Sequence, residues 1–195
     1  GIDTHFDGWT QKFLPANTAS YFLMPAIFGK ERSNPHIWLS LLNAKKIANE
    51  ITQILAENIP DYAARFQQNN AGFQNQLDSL HQELTALFAP LAMRKFIQWH
   101  PAWNDFAADY QLEIVGTIEE GHGHEPSVRD FMELIQKAKQ QQVQTVVLGL
   151  NLHNKNVDAL AREIDGRIAR LDAIGSPNRP QASSYLKMMK QSANT

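Results

Sequence analysis

Three side chains able to bind a metal ion stand at predicted ends of secondary structure: His36, His100 and Asp172. His36 follows Asn34-Pro35, and because proline keeps the residue before it extended, His36 lies at a loop-to-helix junction. His100 and Asp172 each follow a predicted strand, so in a parallel sheet both belong to the rim where ligands of α/β proteins bind. Two imidazoles and one carboxylate suit Zn²⁺ and are acceptable to Mn²⁺ or Fe²⁺. Spacing alone leaves a plainer alternative open, in which His100 caps a strand and Asp172 begins a turn.

The N-terminal part of the chain is predicted to be mainly helical. Apolar residues recur at helical spacing over residues 37–58 and predict one amphipathic helix. Residues 3–14 predict a helix that stops at Pro15. The short apolar run 21–24 predicts a strand, and residues 25–35, which contain two prolines, predict a loop.

Residues 61–88 predict a single helix about 42 Å long, at 1.5 Å of rise per residue. Apolar residues at spacings of seven, four and three form a heptad-like seam along and just beyond it: Phe66, Phe73, Leu77, Leu80, Leu84, Leu87 and Leu91. Two interpretations stay open for this segment. It is either one member of an antiparallel helix pair packed by the seam, or a helix that bridges two lobes.

From residue 94 onward, predicted strands alternate with predicted helices. Strands are predicted over 95–99, 112–118, 143–150 and 167–171, and helices over 101–110, 127–141, 156–164 and 181–191. The run 143–150 is almost entirely apolar, as in strands buried on both faces. Ser127 is placed to cap the predicted helix over 127–141. The alternation predicts an α/β fold in which helices flank a parallel sheet.

Composition narrows the classes of function. The chain has 195 residues, a net charge of −2 at pH 7 and a pI of about 6.4, so its charge does not favour nucleic acid or anionic lipid. No apolar run approaches the ~20 residues that span a bilayer, so membrane insertion is not expected. The sequence has no cysteine, which excludes disulfides, thiol catalysis and cysteine-type zinc sites.

Two motifs and several flanking segments carry a family resemblance. The motifs are Asn34-Pro35-His36-Ile37-Trp38-Leu39 and Trp99-His100-Pro101-Ala102-Trp103. The flanking segments are Asn43-Ala44-Lys45, Ile118-Glu119-Glu120-Gly121, Glu125-Pro126-Ser127, Arg170-Leu171-Asp172-Ala173-Ile174-Gly175 and Tyr185-Leu186-Lys187-Met188-Met189. Together and in this order, they resemble the zinc- and manganese-binding solute-binding proteins of metal ABC transporters (the cluster 9 family).

The resemblance implies two α/β lobes joined by a long rigid helix, with one metal ion in the cleft between them. It divides the chain into the remainder of an N-terminal lobe (1–60), a bridging helix (61–93) and a C-terminal α/β lobe (94–195). Such a protein is not an enzyme. It is periplasmic or otherwise extracytoplasmic, captures Zn²⁺ and delivers it to an ABC transporter permease.

The resemblance also implies the ligands. His36 would come from the first lobe, and His100 and Asp172 from the second. Histidine at position 100 favours zinc, because relatives that take manganese or iron tend to have a carboxylate there. Trp38, Trp99 and Trp103 would form an apolar shell around the site, with ordinary core packing as their alternative role.

Two other classes of function remain as alternatives. A zinc-dependent hydrolase could use the same two histidines and one aspartate with an open fourth position. However, the chain has no H-E-x-x-H motif, and no glutamate stands near His36 or His100 in sequence as an evident general base. A helical interaction module using the seam at 66–91 would leave the α/β pattern unexplained.

Several features depart from the family pattern. The first strands of the N-terminal lobe and an early histidine are expected to be missing, and a sheet edge exposed in this way would invite pairing into a dimer. Asn34 replaces a common aspartate.

His122 and His124 lie in a Glu- and His-containing loop that is either a low-affinity metal antenna or a plain solvated loop. The other histidines, His5, His81 and His153, are expected to have no role.

Overall fold

A computed structural model describes residues 8–15, 18–29, 32, 34–119, 126–175 and 178–195. The chain divides into two compact units, Gly1–Ser79 and Leu80–Thr195, and the boundary falls within the longest helix. We refer to them as the first and the second unit. The three-part division at residues 60 and 93 expected from the sequence stays a prediction.

The helices and strands of the described residues alternate as the sequence predicts from residue 94 onward. The α-helices are α1 (Leu23–Phe28), α2 (Leu41–Asn58), α3 (Ala63–Phe88), α4 (Asn104–Asp109), α5 (Val128–Gln140), α6 (Lys155–Glu163) and α7 (Tyr185–Ala193). The strands are β1 (Lys95–Gln98), β2 (Glu113–Thr117), β3 (Thr145–Gly149) and β4 (Arg167–Leu171). Short 3-10 helices cover Gly8–Phe13, Ile37–Leu39, Pro60–Tyr62 and Pro180–Ala182.

The predicted strand over 21–24 is wrong, because this segment enters α1. The helix begins after Phe22, so Pro25 stands in its first turn, where the missing N–H has no partner to lose. Gly29 ends the helix in the left-handed conformation, at φ 70°, which glycine adopts without strain. The predicted loop over 25–35 is therefore helical as far as Phe28.

The predicted helix over 37–58 is interrupted at Ser40. The backbone of Ser40 is extended, and its side-chain oxygen accepts a hydrogen bond from the backbone N of Asn43 at 3.0 Å. This contact caps α2, so the residues before it form a separate 3-10 turn. The turn and the start of α2 share a buried apolar face that includes Ile37, Leu39 and Leu41.

The part of α3 that lies in the first unit, residues 63–79, runs antiparallel to α2. The ion pair of Lys45 with Asp78 joins the start of α2 to the end of this part of α3. The 2.8 Å hydrogen bond from Asn70 to Asn49 joins a later residue of α2 to an earlier residue of α3. Leu77 of the seam is fully buried. In the second unit, α3 ends at Phe88, whose ring lies 5.7 Å from that of Phe106.

The second unit is built on a parallel sheet with strand order β2-β1-β3-β4. Strand β3, one of the two inner strands, is the buried apolar strand that the sequence predicts, and it packs in a core with residues of α5 and α6. Ser127 caps α5 as expected, accepting a hydrogen bond from the backbone N of Asp130 at 3.2 Å. The closing helix differs, since Ser184 starts α7 after a separate 3-10 turn. These elements confirm the predicted α/β class.

Among the described residues, no helix combines the length and the apolar character that crossing a membrane requires. Strands β2 and β4 form the two edges of the sheet in the second unit. A dimer formed through a sheet edge stays a prediction.

Candidate metal site

His36 is held by the side chain of Asn34. The Nδ1 atom of His36 lies 2.7 Å from Oδ1 of Asn34, and the same oxygen accepts a hydrogen bond from the backbone N of His36 at 3.0 Å. An amide oxygen only accepts, so this contact places the imidazole proton on Nδ1 and the ring lone pair on Nε2. The His36 ring also lies 5.3 Å from that of Trp38. Asn34 therefore supplies an oxygen partner although it replaces the usual aspartate.

His100 is held by a carboxylate that follows the neighbouring strand. The backbone N of Glu119 donates to the carbonyl oxygen of Trp99 at 2.8 Å, which extends the pairing of β1 with β2 past both strand ends. This brings Glu119 Oε2 to 3.1 Å from His100 Nδ1. The side chain of Glu119 is 14% exposed and that of His100 is 41% exposed. A carboxylate in this position fixes the tautomer and orientation of a metal-binding histidine and makes Nε2 a stronger ligand.

Asp172 follows β4 and has both carboxylate oxygens engaged. Its Oδ1 accepts hydrogen bonds from the backbone N of Ile174 at 3.1 Å and of Gly175 at 2.8 Å. Its Oδ2 forms an ion pair with the guanidinium of Arg179. The side chain is 12% exposed, so the carboxylate is stabilised mainly by these partners rather than by water.

Sheet order separates His100 from Asp172. Both follow the carboxyl ends of parallel strands, as expected, but β3 lies between β1 and β4. At about 4.8 Å per strand spacing, their backbones are about 10 Å apart across the sheet. Among the described residues, no three His, Asp or Glu side chains are grouped closely enough to hold a metal ion. The second unit thus pairs His100 with Glu119 and Asp172 with Arg179.

The contacts of Glu119 with His100 and of Arg179 with Asp172 were not predicted from the sequence. A signal for Glu119 existed, because successive strands of an α/β fold are usually neighbours and Glu119 follows the strand after His100. The glutamate absent from the sequence neighbourhood of His100 is therefore present in the structure. Nothing in the pattern pointed to Arg179, which lies seven residues after Asp172 in the sequence and pairs with its carboxylate.

The tryptophans differ in their surroundings. Trp103 is buried with its ring 5.6 Å from that of Phe106, and Trp99 packs against the sheet core. Both therefore take part in ordinary core packing, whereas Trp38 contacts a proposed ligand.

The remaining histidines fall into three groups. His153 is exposed. His81 was expected to have no role, and its Nδ1 lies 3.2 Å from the Tyr110 hydroxyl. His5, His122 and His124 lie outside the described residues, and with them the expected antenna.

Comparison with known proteins gives consistent results. The chain is 24% identical over 160 residues to the high-affinity zinc uptake system protein ZnuA of Brucella abortus, covering 82% of this chain and 48% of that protein. It is 24% identical over 161 residues to the zinc-binding lipoprotein AdcA of Streptococcus pneumoniae, covering 81% of this chain and 32% of that protein. The chain thus spans about half the length, or less, of these curated relatives.

Solved structures share the fold. A crystal structure of ZnuA matches with a TM-score of 0.80 and 33% identity, covering 100% of this chain and 77% of that one. A Mn-bound periplasmic metal binding protein from Candidatus Liberibacter asiaticus matches with a TM-score of 0.85 but 17% identity, covering 99% of this chain and 77% of that one. The second match supports the fold alone.

One family matches almost the whole chain. The sequence pattern of the zinc-uptake complex component A, periplasmic, covers residues 3–195. This match confirms the expected resemblance to the solute-binding proteins of metal ABC transporters. Proteins of this family are extracytoplasmic and are not enzymes. The match therefore argues against a hydrolase. The chain belongs to the family of the periplasmic zinc-uptake complex component A.

Proposed function

We propose that this protein captures Zn²⁺ through His36, His100 and Asp172 and passes it to the permease of an ABC transporter. The observation that carries the proposal is shared by the two histidines. Each has Nδ1 within hydrogen-bond distance of a side-chain oxygen, from Asn34 at 2.7 Å and from Glu119 at 3.1 Å. In a neutral imidazole, such a contact favours the tautomer with the proton on Nδ1, whose Nε2 can bind a metal ion.

The chemistry of this ligand set favours zinc. Two imidazole nitrogens and one carboxylate oxygen match the borderline character of Zn²⁺, with water as a fourth ligand in a tetrahedral site and Zn–N distances of about 2.0–2.1 Å. Mn²⁺ prefers a site richer in oxygen ligands. The zinc-related names of the relatives from Brucella and Streptococcus support the same choice.

Calorimetric titration of the metal-stripped protein with Zn²⁺ and with Mn²⁺ tests this proposal. We expect one zinc site, a much weaker response to manganese, and a loss of zinc affinity of at least tenfold in His36→Ala and in His100→Ala. His153→Ala is the matched control, because this histidine is exposed and lies outside the proposed ligand set. Absence of zinc binding, or equal weakening by His153→Ala, would contradict the proposal.

A further inference from the structure

The carboxylate of Asp172 already holds a cation, the guanidinium of Arg179. The pair is only partly open to solvent, since the side chain of Asp172 is 12% exposed and that of Arg179 is 35% exposed. Two backbone amides fix the other oxygen, Oδ1, in the turn that follows β4. The oxygen that a metal ion could reach without breaking this turn is therefore Oδ2, the atom that Arg179 occupies.

A guanidinium and a metal ion have opposing requirements at this oxygen. Both are attracted by the same negative charge, and each repels the other when they are only a few ångströms apart. Binding of a divalent cation to Oδ2 would thus loosen or displace Arg179. The surroundings provide space for this movement, because Asp172 and Arg179 line a pocket of about 330 Å³ together with Arg170, Gln191 and Ser192.

We propose that Arg179 is an internal competitor for the metal ion and sets the affinity of the site below what its ligands alone would give. This inference rests on the proposed function, since it takes Asp172 as a ligand. In the metal-free protein, Arg179 neutralises a carboxylate that is largely withdrawn from water. When the metal ion leaves, the guanidinium returns to Oδ2, so release of the ion leaves no uncompensated charge.

The test compares zinc affinities, measured by competition with a chelator, in charge-removing and charge-keeping variants. We expect Arg179→Gln to bind Zn²⁺ about three- to fivefold more tightly than the wild type, the size of effect expected for a partly exposed ion pair. Arg179→Lys keeps the positive charge and should stay close to the wild type. Arg170→Gln is the matched control, because Arg170 lines the same pocket but donates to the carbonyl oxygen of Leu152.

A double variant assigns the effect to the carboxylate. In an Asp172→Asn background, Arg179→Gln should no longer change zinc affinity, because the group for which arginine competes is gone. Unchanged or weaker zinc binding in Arg179→Gln would overturn the proposal, and so would equal tightening in Arg170→Gln. If the wild type bound no zinc, or if Asp172→Asn bound it as tightly as the wild type, the proposed ligand set would fail first and this inference with it.

Discussion

The contact of Glu119 with His100 makes a quantitative prediction for metal binding. The pair is 3.1 Å apart, and the glutamate side chain is 14% exposed, so solvent screens this interaction less than that of an ordinary surface pair. Loss of such a carboxylate behind a metal-binding histidine typically costs about 10- to 100-fold in affinity. We expect about 10-fold for Glu119→Gln, whose amide oxygen can still accept the Nδ1 proton, and about 100-fold for Glu119→Ala.

The assay combines an affinity with a spectroscopic readout. Zinc affinity is measured by chelator competition, and the tautomer of the His100 ring is read from its ¹⁵N chemical shifts in the metal-free protein. Glu113→Gln is the control, because Glu113 lies at the opposite end of β2 and pairs with Lys95 at 3.8 Å. A role of Glu119 in orienting His100 is excluded if Glu119→Ala binds zinc as tightly as the wild type, or if the His100 tautomer is the same in both.

Two further predictions concern stability. Leu148 of β3 is 1% exposed, so Leu148→Ala should lower the free energy of unfolding by about 2–5 kcal/mol, measured by urea denaturation followed by circular dichroism. Leu152 is 48% exposed, so the control Leu152→Ala should change this free energy by less than about 1 kcal/mol. Equal effects of the two substitutions would contradict the assignment of the core. Burial, and to a lesser degree the nearby Tyr110 and Asp109, raise the pKa of Tyr185 well above its usual value of 10.0. At high pH, the folded state therefore keeps a proton on Tyr185 that the unfolded state loses, so the free energy of unfolding should fall as the pH rises above about 10. Tyr185→Phe should reduce that fall between about pH 9 and pH 11. A pH dependence that the substitution leaves unchanged would rule out this role of Tyr185.

Much of the second unit could be predicted from the sequence because its signals are local. The run 143–150 is apolar throughout, as a strand buried on both faces requires, and Ser127 marks the start of α5. The segment 21–24 failed for the converse reason. Four apolar residues fit a strand or a helix equally well, and the position of Pro25 within the first helical turn decided for the helix.

The sequence indicated the proposed ligands of the candidate site, but not all of the side chains that hold them. His36, with its partner Asn34, and His100 stand in recognisable motifs at element ends. In contrast, Glu119 reaches His100, and Arg179 reaches Asp172, only through the tertiary structure. The contact of Glu119 requires β2 to lie beside β1, and the separation of Asp172 from His100 requires β3 to lie between their strands. Neither fact is encoded in a local spacing of residues.

The proposed function requires this chain to bind zinc through two imidazoles. The most direct measurement is X-ray absorption at the zinc edge on protein loaded with one equivalent of Zn²⁺, for the wild type and for His100→Ala. We expect nitrogen and oxygen ligands at about 2.0–2.1 Å, with two imidazoles in the wild type and one in the variant. A spectrum that the variant leaves unchanged, or one without any imidazole contribution, would contradict the proposed function.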